Sequence, residues 1–379
     1  MSKDNIVFFD TEIAGGNNRL YDIGAVKDDA TKLHTGIYAQ FLDFISNSQY
    51  LCGHNIFAHD LKYIKDEIVS TGNSYRYIDT LLFSPLVFPL EKYHHLGKEE
   101  KIDETEENNP LFDALKARDR FYEEVTAFYA LPEEMQIIFY LLLGSQEHYC
   151  AFFEFLNYSA TGIAQEMIRK VFDNKICINA NIDELVKSYP VEMAYCLALI
   201  EKDNEFADLC PWLIENFPNI RLVMQFLRSV PCKDEGCSYC RRVLSIHAAL
   251  KYFFDFDEFR TYEGEPLQER AVQAAVDGHS LLAVFPTGGG KSLTFQIPAL
   301  MAGVSVKGLT VVISPLQSLM KDQVDNLEEK SITKSGVDSI AIKMIIQNTS
   351  FLKIYMFLRK ILFQFQNWQE DYLYTLIEN

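Results

Sequence analysis

The sequence contains no apolar run long enough to span a bilayer: stretches such as IIFYLLLG at 137–144 fall well short of the ~20 residues a membrane helix requires. No long apolar region follows the charged start MSKDNIVFFDTE, so no signal peptide is expected. Internal repeats and low-complexity linkers are absent. Basic residues are scarce, 35 Lys and Arg against 53 Asp and Glu, and the resulting charge of -18 denies the chain as a whole the basic footprint of a nucleic-acid binder. A chain of 379 residues, 48% hydrophobic and 23% charged, is still an ordinary globular one, long enough for about two to three domains. Disorder and fibres are excluded, and a cytoplasmic location is expected.

No disulfide framework is expected either. Cys52, Cys150, Cys177, Cys196 and Cys210 are scattered among apolar neighbours, which in a reducing compartment reads as buried free thiols. The other three cysteines are clustered at 232–240.

The order of patterns predicts an α/β chain. IVFFDTE reads as a strand ending in acids, and AGGNNRLYDIGAV as a glycine turn leading to a second strand. YLCGHNIFAHDLKYI passes from strand to helix near Asn55, and KEEKIDETEENN is a charged loop before a helix opened by Pro110. Amphipathic helices follow from about Tyr122 to Leu227, punctuated at Pro132, Pro190, Pro211 and Pro218. From about Leu250, LLAVF reads as a buried strand, KSLTFQIPALM as a helix and LTVVIS as a strand, together a βαβ unit. The expected division is 1–125, a helical connector at 126–249, 250–330, and an atypical tail at 331–379 rich in Ile, Phe, Tyr, Lys and Asn.

Three constellations carry chemistry. Asp10 and Glu12 lie two apart on a strand and therefore project from one face. Hydrolysis of a phosphodiester through two divalent cations needs such hard oxygen ligands, although a D-x-E pair alone also describes a solvated strand end. IVFFDTE, GHNIFAHDLKYI, YIDTLLFSPLVFP and NNPLFDALKARD, taken in that order over about 5–125, resemble the motifs of the DnaQ-like exonucleases of the DEDD group. That resemblance implies a ribonuclease-H-like fold and removal of nucleotides from a 3′ end of nucleic acid, expected to be single-stranded or frayed DNA. It implies Mg²⁺ or Mn²⁺ held by Asp10, Glu12, Asp60 and Asp113, while Asp79 reads as a helix cap. The commonest version of that family places a general-base histidine where this chain has Asn108, and the tyrosine variant would need its base at Asn109. An amide cannot accept a proton near neutral pH. His59, His94 and His95 are the candidates to replace it, and a catalytically silent binding module is the competing expectation.

The second constellation is FPTGGGKSLTFQIPAL, where a glycine loop opens a helix, the setting in which backbone N–H groups wrap phosphates. Thr287, Gly288, Gly289 and Gly290 would form the loop, Lys291 would reach the β and γ phosphates of ATP, and Ser292 would hold Mg²⁺. The segment from FFDFDEF through this loop to LTVVISPLQSLMKDQVDNL resembles the RecQ helicases, with an incomplete RecA-like P-loop domain implied. By that resemblance Gln268 would bond the adenine, Phe256 and Arg260 would lie against the base, and Ser314, Pro315 and Gln317 would touch a DNA strand. EGEPLQ suggests an insertion between the Phe259-Arg260 pair and Gln268. No D-E-x-H box follows Leu327, so ATP binding without unwinding is expected, and the tail is expected to be a truncation or frameshift product.

The third is PCKDEGCSYCRRVLSIH, which places Cys232, Cys237 and Cys240 at C-x4-C-x2-C. Such spacing suits one metal, with Gly236 allowing a tight turn and His247 or Cys210 as the fourth ligand. Zinc, an iron–sulfur cluster and reduced thiols all remain open. Lys233, Arg241 and Arg242 add a small basic spot that also reads as solvated surface.

Overall fold

A computed structural model describes residues 5–14, 19–96, 109–202, 209–232, 234–286, 288–308, 310–314 and 342–346. These divide into two compact units, 1–171 with 185–198, and 172–184 with 199–379. No helix among the described residues is long and apolar enough to cross a membrane. Asn108, Lys233, Thr287, Pro315, Gln317 and most of the 331–379 tail lie outside the described residues.

The first unit is built on a mixed five-stranded sheet. Its strands are β1 (Ile6–Ala14), β2 (Arg19–Lys27), β3 (Lys32–Thr35), β4 (Tyr50–Gly53) and β5 (Arg76–Asp79), in the order β3-β2-β1-β4-β5. β1 pairs antiparallel with β2 and parallel with β4, and β4 pairs parallel with β5. Parallel neighbours need crossover connections, here α1 (Tyr38–Ile45) ahead of β4 and α2 (Leu61–Ser70) ahead of β5. The two-residue alternation of IVFFDTEIA divides β1 between two layers. Val7 and Phe9 enter a core with Phe41, Ile45, Leu61, Ile64 and Ile68 of α1 and α2. Phe8 points the other way, after α3 (Thr80–Val87), toward α4 (Pro110–Ala130), where its ring centroid lies 5.5 Å from that of Phe121.

α4 begins where local chemistry dictates. The Asn109 side chain accepts from Leu111 N–H at 3.1 Å, and Pro110, which lacks an N–H to leave orphaned, fills the first turn. Ala114, Ala117, Phe121, Glu124 and Phe128 form its buried stripe. The small residues allow close approach to the sheet, and Gly24 of β2 allows it to be closer still: a Cβ at that position would stand 2.0 Å from Leu111 N.

The expected passage from strand to helix near Asn55 is longer than the sequence suggests. β4 ends at Gly53, Asn55 takes a left-handed φ of 66°, and α2 starts only at Leu61. Asp79 organises this turn. Its carboxylate accepts from Leu81 N–H at 3.0 Å as the cap of α3, and also from Asn55 N–H at 2.7 Å and Phe57 N–H at 3.3 Å. Burial pushes the Asp79 carboxyl up to about 7 despite those three donors.

The helices continue as α5 (Glu133–Leu143), α6 (Cys150–Phe155), α7 (Ala164–Val171), α8 (Ile182–Ser188), α9 (Pro190–Glu201), α10 (Pro211–Asn216) and α11 (Ile220–Arg228). The prolines mark their starts as expected: Pro132 precedes α5, while Pro190 and Pro211 open α9 and α10. The second unit then adds α12 (Ser238–Val243), α13 (Ile246–Phe254), α14 (Leu267–Val276), α15 (Leu293–Val306), β6 (Thr310–Ser314) and β7 (Ile342–Ile346). Its core joins Leu250 and Phe254 of α13 to Val272, Phe295, Ile297, Leu300 and Val312.

One element departs from expectation. LLAVF does not form a buried strand: residues 281–286 have no regular secondary structure, and Leu282 and Val284 are 79% and 82% exposed. A strand requires a neighbour for its ladder, and β6 pairs in parallel with β7 instead. The expected βαβ unit is thus replaced by α15 followed by a parallel strand pair.

Gly24→Ala tests the contact on which the first unit is assembled. Overpacking at such a site costs about 1–3 kcal/mol, so the urea midpoint should fall markedly. An unchanged midpoint would mean that α4 does not rest on Gly24.

Candidate functional site

The carboxylates meet at the end of β1. Asp10 lies opposite Gly24 in the β1–β2 ladder, and a register irregularity falls just after Glu12. Because α4 lands on Gly24, Asp113 in its first turn is carried to the same place. Oxygen atoms of Asp10, Glu12 and Asp113 all lie within 4.8 Å of one another.

Asp60 arrives from the opposite layer. Thr11, whose side chain points away from Asp10 and Glu12, donates to Asp60 Oδ1 through both its N–H at 2.8 Å and its Oγ1 at 2.7 Å. Asp60 is 1% exposed, and its Oδ2 is buried with no hydrogen-bond partner. A buried carboxylate oxygen without a donor is costly. Asp60 is therefore held beside the trio rather than within it, with one oxygen committed to Thr11 and the other bare.

The electrostatics follow from crowding. Burial, then the charges of Asp60, Asp113 and Glu12, push the Asp10 carboxyl up to about 9, and burial with Asp113 also raises Glu12. A set of hard oxygens that cannot all be anionic together is what a divalent cation relieves. Asp10, Glu12 and Asp113 form a donor set that could hold a divalent cation, and Asp60 is near enough for its charge to raise Asp10.

Of the three histidines considered as a base, one lies near the carboxylates. His59 is half exposed, with Nδ1 3.7 Å from Asp60 Oδ1, and the neighbouring Asp60 carboxylate raises its pKa despite partial burial. His94 is instead buried against Ser84 Oγ at 2.7 Å, with burial pushing it down to about 4. His95 is exposed and packs its ring against Tyr93. Asn109 is occupied as the α4 cap.

In the second unit, Gly288 to Ser292 lead directly into α15. Gly288 and Gly290 hold left-handed φ angles of 74° and 70°, which only glycine adopts without strain. The loop is bound from outside by three residues. Arg260 Nη1 donates to Gly288 O at 2.7 Å, the Tyr262 hydroxyl donates to Gly289 O, and Gln268 Nε2 donates to Gly290 O at 2.9 Å. Gln268 Oε1 meanwhile accepts from Arg260 N–H at 2.9 Å, and the side chain is buried. EGEPLQ begins with a tight turn: Tyr262 and Glu265 bridge antiparallel across Glu263 and Gly264, whose φ angles are 51° and 85°. Phe259 is buried in the core, whereas Phe256 is exposed and stacks on Phe254.

The comparisons fall on this second region. Residues 265–365 match the DEAD/DEAH box helicase family. A stretch of 95 residues, 25% of this chain, is 43% identical to ATP-dependent DNA helicase Q5 of Rattus norvegicus, covering 9% of that protein. ATP-dependent DNA helicase RecQ of Bacillus subtilis is 44% identical over 91 residues, 24% of this chain and 14% of the relative. ATP-dependent helicase SGS1 of Saccharomyces cerevisiae is 49% identical over 74 residues, 20% of this chain and 5% of the relative. The helicase-like region is RecQ-like. The chain spans a small fraction of each of these relatives.

The cysteines also come together, with one addition. Cys232, Cys237 and Cys240 are joined by Cys177, and all four sulfurs lie within 4.8 Å of one another. The two candidate fourth ligands lie elsewhere: His247 Nε2 pairs with Glu269 Oε1 at 2.9 Å, and Cys210 is the residue preceding the first turn of α10. Cys177 is thus not one of the scattered thiols. Arg242 spends a guanidinium nitrogen on Asn174 O at 3.1 Å. Sequence reasoning missed Thr11, Gly24, Cys177 and Tyr262, each of which acts on residues distant in the chain.

The raised Asp10 carboxyl gives a pH prediction. Its folded pKa of about 9 exceeds its ordinary 3.8, so its contribution to stability is full below about pH 4 and is lost as pH rises toward 9. Asp10→Asn should therefore melt higher than wild type in EDTA, by a margin that widens from pH 5 to 8. Mn²⁺ should raise the wild-type melting temperature and leave the variant's nearly unmoved. Parallel melting curves across that range would refute the assignment.

Proposed function

We propose that the first unit is a metal-dependent 3′-5′ exonuclease acting on nucleic acid, DNA by preference, and that the RecQ-like region binds ATP. The observation that carries the nuclease reading is the convergence of Asp10, Glu12 and Asp113 from β1 and α4, with the charge of buried Asp60 acting on Asp10. The sheet order β3-β2-β1-β4-β5 agrees with the ribonuclease-H-like fold implied by the resemblance. The net charge of -18 does not oppose this reading, because cations rather than lysines would meet the scissile phosphate.

Each residue then has a task. Asp10, Glu12 and Asp113 would hold Mg²⁺ or Mn²⁺, which supplies Lewis acidity and an activated water when bound. Thr11 keeps Asp60 from rotating by donating twice to its Oδ1. His59, at the exposed rim, accepts the proton of the attacking water in place of the missing base. Its raised pKa sets the sign: the neutral ring becomes available as pH rises through that value, so activity increases with pH there.

With 3′-labelled single-stranded DNA and Mn²⁺, the full chain should release mononucleotides and Asp10→Ala should not. Equal release by both proteins would leave a binding module. His59→Ala should lower kcat by about 10²-fold or more, the ordinary contribution of a general base, and should flatten the pH profile. A kcat within twofold of wild type would remove His59 from the reaction.

For the second region, Gly288, Gly289, Gly290, Lys291 and Ser292 would bind the phosphates, with Gln268 and Arg260 toward the adenine and Thr287 within the same loop. Lys291→Ala should weaken binding of a fluorescent ATP analogue by about 10-fold or more, since a charge-assisted hydrogen bond contributes about 1.5–3 kcal/mol. Unaltered affinity would argue against phosphate binding at this loop.

A further inference from the structure

We infer that Cys177, Cys232, Cys237 and Cys240 form a tetrathiolate zinc site that fastens two distant segments of the second unit together. The ligands come from separate parts of the chain. Cys177 lies between α7 and α8, and the other three lie beyond four intervening helices, around the start of α12. Three of the sulfurs belong to buried residues and Cys232 is partly open, so the site has one side toward solvent and an otherwise enclosed cage.

Geometry separates zinc from the other sulfur chemistries. A tetrahedral zinc with Zn–S bonds of about 2.3 Å sets its sulfurs about 3.8 Å apart. Cys232 Sγ and Cys240 Sγ lie 3.7 Å apart, and no pair among the four exceeds 4.8 Å. Iron–sulfur clusters spread their thiolates over two or more iron atoms and need a wider cage than this. A disulfide would join only two of the four and would need its sulfurs at about 2.05 Å.

The surroundings are built to hold those two segments in register. Cys177 N–H donates to Leu227 O at 2.9 Å, which ties the upstream ligand to α11. Asn174, with a left-handed φ of 64°, receives the Ser238 hydroxyl on its side chain and Arg242 Nη2 on its carbonyl. Asp234 accepts from Gly236 N–H at 2.8 Å and from Cys237 N–H at 3.1 Å, closing the turn between Cys232 and Cys237. Tyr239, fully buried between the last two ligands, donates to Arg228 O at 2.7 Å while Arg228 Nε donates to its hydroxyl at 3.1 Å. Such outer contacts orient ligands. α12, which carries Cys240, packs on α13 and on α15, the helix that begins at the glycine loop. The clip therefore anchors the platform beneath that loop.

The test uses the full chain purified without added metal. Elemental analysis should find one zinc per chain, absent from Cys177→Ser, retained in His247→Ala and Cys210→Ser, and regained in Cys177→His. If Cys177→Ser does not fold, titration of the wild type with a mercurial thiol reagent should release one zinc as four thiols react, read by a chromophoric chelator. Iron with acid-labile sulfide, four free thiols with no metal, or full zinc content in soluble Cys177→Ser would each overturn the assignment.

Discussion

The first unit depends on a helix backbone resting against a strand backbone. Gly24 offers no side chain at the point where Pro110 and Leu111 touch β2, and a methyl group there would occupy the space of Leu111 N itself. Since Asp10 is the ladder partner of Gly24, the same contact that seats α4 sets the distance from Asp113 to the two acids of β1. The short segment Asp10-Thr11-Glu12 then serves both layers of the domain. Its even positions face α4, while its middle residue reaches through the other face to grip Asp60. Site and sandwich are consequently one construction, and the site cannot be loosened without loosening the packing of α4.

α4 carries a second consequence of that close seating. Glu124 falls on its buried stripe, wholly enclosed, with Arg120 Nε 3.6 Å away and no hydrogen bond to either carboxyl oxygen. Burial pushes its pKa well up, against the opposing pull of Arg120. Arg120 is meanwhile shared among Ser84, Glu91 and the ring of Phe88. His94 belongs to this network through Ser84, which removes it from the phosphodiester chemistry suggested by its place in the sequence.

Legibility tracked locality. The strand period of two placed Asp10 and Glu12 on one face, and Pro110 announced the start of α4, because each signal is complete within a few residues. The cap role of Asp79 was equally readable, but its grip on Asn55 and Phe57 was not, since it depends on β4 and β5 lying side by side. Gly24 looked like any strand glycine until α4 was laid across it. Cys177, flanked by Ile176 and Ile178, carried no metal-like spacing and gained its meaning only from the Leu227 carbonyl and its three distant partners. LLAVF shows the converse: its composition favours a strand, yet pairing is a property of two segments, and β6 has β7 beside it instead.

The glycine loop is stitched to its neighbours through its own carbonyls. Arg260, Tyr262 and Gln268 take the oxygens of Gly288, Gly289 and Gly290 in succession, and Gln268 sits only 1% exposed behind them. Both polar atoms of the Gln268 amide are engaged, Nε2 with Gly290 O and Oε1 with Arg260 N–H, so a ligand competing for that amide binds only the molecules in which those bonds have opened. The observed affinity will be the intrinsic one diminished by the fraction of molecules already open. Whatever holds α15 and its platform still, or lets it shift, acts directly on that fraction.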